Sequence, residues 1–171
     1  MKRFNRVMAL LWLLGMTASA DSGHDKTSPT SPTFAQMTQL VGTWKGTSND
    51  RKGPQEAVVE YRLTSGGSAL EEKLFAGTPH EMVSMYYEQN GQLQMTHYCM
   101  LGNHPHLTLK KASPKELRFV MASGSGIDMN AKHMHALKLE FVDATHLTQR
   151  WTCYENGKAA DDVVITLTRV P

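Results

Sequence analysis

After residue 20 the chain has no apolar run that could cross a bilayer as a helix, which takes about 20 residues. Its two cysteines are too few for a disulfide scaffold, and no Cys-x-x-Cys or His-x-x-x-His spacing marks a metal knuckle. There is no Lys/Arg run or basic patch, which argues against a nucleic-acid partner. No window after Leu40 carries a helical apolar stripe, and no protease or transferase signature surrounds a nucleophile. An enzyme is therefore poorly supported. A Cys–His pair such as Cys99 with His97 or His133 lacks any local motif for attack chemistry.

What is present begins with Lys2, Arg3 and Arg6, then an apolar run over residues 7–16, then Ala18-Ser19-Ala20. That order is the form of a secretory signal, so residues 1–20 are expected to be removed before Asp21 and the protein to be periplasmic or secreted. Without that segment 15 Lys and Arg face 16 Asp and Glu, so the pI of about 8.5 belongs to the precursor alone. Export would place Cys99 and Cys153 in an oxidising compartment, where a disulfide is permitted but not implied. Residues 21–33, with Ser28, Pro29, Ser31 and Pro32, cannot bury apolar surface and read as a flexible leader.

One domain is expected over residues 34–171. Phe34, Met37, Leu40 and Val41 form one short helical face, which Thr33 could cap. Ten strands follow, at residues 42–48, 56–63, 69–76, 82–88, 92–101, 107–112, 116–122, 133–143, 146–154 and 162–170. Ser65-Gly66-Gly67-Ser68, Asn90-Gly91 and Asn156-Gly157 supply hairpin turns between alternating runs. Connections this short favour an antiparallel up-and-down meander, and closing it into a barrel removes both exposed edges.

Leu40-Val41-Gly42-Thr43-Trp44, after a short helix, resembles the lipocalin-type Gly-x-Trp at the start of the first strand, where the tryptophan plugs the closed end of the barrel. The residues from Leu93 to Cys99, ending His97-Tyr98-Cys99, and then Gly102-Asn103-His104-Pro105, are similar to an uncharacterised family of small, often exported bacterial proteins. The resemblance covers roughly Phe34 to the C-terminus and implies a calycin-like barrel. It implies no particular ligand, since other lipocalin signatures are not evident and fold does not fix function.

Strand alternation sorts the candidate site residues. Met95, His97, Cys99 and Leu101 should share the inner face of the fifth strand. His133 and His135 should point inward from the eighth, Trp151 and Cys153 from the ninth, and Glu72 from the third. Chain direction adds that His80, Cys99, His104, His106, His133, His135 and Cys153 belong at one rim, with His146 at the other. Three roles stay open for that rim. It could hold a small organic ligand, haem included, with Glu72, Met85, Met95, His97, His135 and Trp151 around it and Phe119 and Leu137 in the wall. It could hold zinc or copper on His97, Cys99, His133 and His135. Or the histidines could be inert, with His97 and Glu72 as a buried pair.

Overall fold

The computed structural model describes residues 31–171, so the expected signal and most of the leader lie outside the described residues. Helix α1, Pro32–Thr38, starts two residues earlier than the apolar spacing suggested. The cap is Ser31 rather than Thr33: its Oγ accepts from the Phe34 backbone N–H at 3.1 Å, and Pro32 follows where a missing N–H costs nothing.

Ten antiparallel strands then close into one barrel in sequence order. They are β1 (Gly42–Asp50), β2 (Gly53–Thr64), β3 (Ala69–Leu74), β4 (Met82–Gln89), β5 (Gln92–Tyr98), β6 (His106–Ser113), β7 (Glu116–Met121), β8 (His133–Phe141), β9 (His146–Glu155) and β10 (Lys158–Arg169). β1 pairs with β10 to seal the ring. The Asn90-Gly91 and Asn156-Gly157 turns both take positive φ, at 54° and 73° and at 52° and 72°, the geometry that matches the twist of the flanking strands.

The two ends of the barrel differ. At one, Phe34, Met37 and Leu40 are buried with the core, and Gln36 donates to the carbonyls of Ser113 and Pro114 at 3.1 Å each. Trp44 stands just inside this end, its indole N–H on the Leu40 carbonyl at 2.8 Å. The Arg169 guanidinium lies 4.3 Å over its ring and donates to the Val41 carbonyl at 2.7 Å. The helix thus closes this end, and the opposite end is open.

Candidate functional site

Below the open end the lumen is filled by its own side chains. Glu72 is fully buried. One carboxylate oxygen accepts from the Tyr61 hydroxyl at 2.6 Å and the Gln149 amide at 2.7 Å, and the other from the Tyr86 hydroxyl at 3.0 Å. The Trp151 indole donates to Gln149 Oε1 at 3.1 Å, which fixes the amide so that its N–H₂ faces Glu72. Burial raises the Glu72 pKa, outweighing the donated hydrogen bonds that lower it. Burial also pushes Tyr61 and Tyr86 well up, with the neighbouring Glu72 adding to it. His97 packs against the Trp151 ring at 4.6 Å and bonds Ser84 Oγ through Nδ1 at 3.0 Å; burial lowers its pKa to about 4. The imidazole is therefore neutral and sealed. A serine–histidine pair this deeply buried meets no substrate.

Above that layer a cavity of about 500 Å³ opens at the mouth. Five sulfur side chains line it: Met82, Cys99, Met100, Met134 and Cys153. Phe75, Leu101 and Val163 complete the apolar wall, with Gln55 and His80 beside them. Arg51, Lys52 and Lys132 bring positive charge to the rim, against Asp50 and Asp161. Arg51 is paired with Asp161. Among the described residues no carboxylate lies within salt-bridge distance of Lys52 or Lys132. Both cysteines are free thiols, and burial raises the pKa of each, so neither is an activated thiolate.

The residues singled out in the sequence are distributed differently from the expectation. Glu72, Met95, His97 and Trp151 do face inward, but they belong to the packed layer under the cavity rather than its wall. Met85 points outward: it pairs with Glu71 and Thr96, on the face opposite Ser84 and Tyr86. His133 and His135 also leave the barrel on its outer side. The cause is a β-bulge in β8, where Met134 opposes Cys153 and Ala136 opposes Thr152, leaving His135 as the extra residue. Met134 thereby takes the inward position. His133 pairs with Tyr154, and His135 stacks on the Tyr154 ring at 3.8 Å. Burial and then His133 lower the His135 pKa.

His97, Cys99, His133 and His135 are consequently not a ligand set. Among the described residues, no three His, Cys, Asp or Glu side chains come close enough to hold a metal together. His106 bonds Thr96 on the outer face at 3.3 Å and His104 lies against Tyr98, so of the rim histidines His80 is the one that lines the cavity. β5 ends at Tyr98, where the chain turns through Cys99–Gly102, and Leu101 is turned out to the rim instead of pointing down the lumen. Sequence reasoning missed Met134, Lys132, Asp161 and Val163. The first was hidden by the bulge. Asp161 was missed because β10 starts at Lys158, four residues before the expected start, with its own bulge between Ala159 and Asp161.

No family model matches this chain, and no curated protein sequence matches it. Solved structures resemble it in shape. A protein of unknown function from the DUF3598 family of Nostoc punctiforme aligns over 78% of this chain and 49% of its own, at 12% identity and a TM-score of 0.54. This chain thus spans about half the length of that protein. A redesigned β-barrel aligns over 78% of this chain and 94% of its own, at 14% identity and a TM-score of 0.38. A third structure, solved bound to DFHBI, aligns over 80% and 98%, at 10% identity and a TM-score of 0.41. At these identities the first likeness speaks to the barrel fold alone.

Proposed function

We propose that this chain is an exported binding barrel that holds a compact, mainly apolar small molecule with an anionic end in the cavity at its mouth. The cavity itself carries the reading. Its volume falls in the range of small-molecule sites, roughly 300–1,000 Å³, and its wall is apolar, while the lumen beneath is already occupied by the Glu72 network. Lys52 and Lys132 supply rim charge for a carboxylate, sulfate or phosphate end. Export rests on the basic start, apolar run and Ala18-Ser19-Ala20 of the sequence.

Anilinonaphthalene sulfonate has this chemistry and serves as the probe. Native protein, shown to be packed by near-ultraviolet circular dichroism, should bind it with a defined stoichiometry. Val163→Trp, which fills the cavity, should weaken binding at least about tenfold, equal to about 1.4 kcal/mol. A folded Val163→Trp variant that binds as well as wild type would overturn the assignment.

A further inference from the structure

Ten side chains in residues 31–171 carry sulfur, and five of them line this one cavity. The core below is built mainly from leucine and aromatic residues, with Met37 and Met95 as its only buried methionines among the described residues. The concentration at the mouth is therefore not a general habit of the chain. The five come from four separate segments: the start of β4, the turn after β5, the start of β8 and the end of β9.

Two local devices bring three of them together. The β8 bulge sets Met134 directly opposite Cys153. Directly opposed residues on one face have Cβ atoms about 4.5–5.5 Å apart, within thioether-to-thiol reach. Cys99 arrives on a tight turn, closed by Gly102 N–H on the Cys99 carbonyl at 3.0 Å and Cys99 N–H on the Asn103 carbonyl at 3.1 Å. Asn103 then donates through its side chain to the Lys132 carbonyl at 2.8 Å, which ties this turn to the chain entering β8. Cys99, Met134 and Cys153 all line the same cavity at the mouth.

We propose that Cys99, Cys153 and Met134 form a binding site for a soft monovalent metal ion, copper(I) by chemical class, with the Met82 thioether as a further donor. Thiolate and thioether sulfur select such ions over hard cations. Of the rim carboxylates, Asp50 accepts from the Lys52 backbone N–H at 2.7 Å and Asp161 pairs with Arg51. Binding is a proton exchange without electron transfer. One Cu(I) and two thiols give a bis-thiolate complex of net charge −1 and two released protons, and the thioether contributes a lone pair without losing a proton. Lys132, which lines the same cavity, offsets part of that charge. The site shares the mouth with the proposed organic ligand but does not depend on it.

The test uses the untagged chain, reduced and handled without oxygen, titrated with Cu(I) against the chromophoric chelator bathocuproine disulfonate. One equivalent should be withdrawn. Cys99→Ser and Cys153→Ser should each weaken retention about a hundredfold and Met134→Leu about tenfold, as loss of a ligand does. Ellman's reagent should find two thiols in metal-free protein and neither after loading. If either serine variant misfolds, the thiol protection of wild type together with Met134→Leu carries the test. Lys52→Ala should weaken the sulfonate probe yet keep Cu(I), which separates this site from the organic one. Copper retention no better in wild type than in the doubly substituted Cys99→Ser/Cys153→Ser chain, or thiols left reactive after loading, would overturn it; the sulfurs would then be a deformable apolar wall.

Discussion

His97 is held neutral by burial, with a pKa near 4 against 6.5 for an ordinary histidine. The unfolded chain protonates first as pH falls. The stability this side chain contributes is therefore complete above about pH 6.5 and drains away down to about pH 4, a loss of roughly 3 kcal/mol. Glu72 acts in the opposite sense. Its raised pKa means that its contribution is greatest at low pH and declines as pH rises above the ordinary value of 4.5. The two partly cancel, so the wild-type profile alone is uninformative. His97→Gln isolates the histidine. In denaturant titrations the advantage of wild type over this variant should shrink by about 3 kcal/mol between pH 7 and pH 4. A difference that stays constant would show that the imidazole titrates normally.

β1 and β10 meet at the seam that makes the sheet a closed ring, and Gly46 sits there without room for a side chain. An added Cβ would lie 1.8 Å from the Thr166 carbonyl oxygen, which is backbone and cannot swing away. Gly46→Ala should therefore cost at least about 1–3 kcal/mol, read as a drop in melting temperature, although alanine suits a strand no worse than glycine. A neutral effect would mean that the seam is looser than its pairing implies. The β8 bulge is the other local decision with wide consequences. One extra residue reverses which side chains of β8 reach the lumen, exchanging two imidazoles for one thioether.

Across the molecule, the helix-closed end and the proposed binding cavity lie at opposite ends of the barrel axis. The closed end has the helix, Trp44 and Arg169; the open end has the sulfur-lined cavity. Met37 is fully buried at the closed end, so Met37→Ala should destabilise by about 2–5 kcal/mol through lost burial and the space left behind. Binding of the sulfonate probe by the fraction still folded should be unchanged. Probe affinity that falls with stability would show that the two ends are coupled through the Glu72 layer.

The pattern of alternation and the hairpin turns determined the barrel, its ten strands and their order, because each of those signals is local: a period of two and a turn residue act within a few positions. The same signals placed Glu72, Met95, His97 and Trp151 inside, whereas the position of Trp44 beside the helix was implied by the resemblance of its Gly-x-Trp to the lipocalin-type entry. They failed at Met85, where two apolar faces alternate without contrast, and at His133 and His135, where a single inserted residue shifts the period. Only the tertiary structure decided which inward residues are packed against one another and which border open space. That depends on the strands that lie across the lumen, whose bulges, lengths and offsets are set jointly by the closed ring and are not written in any one segment.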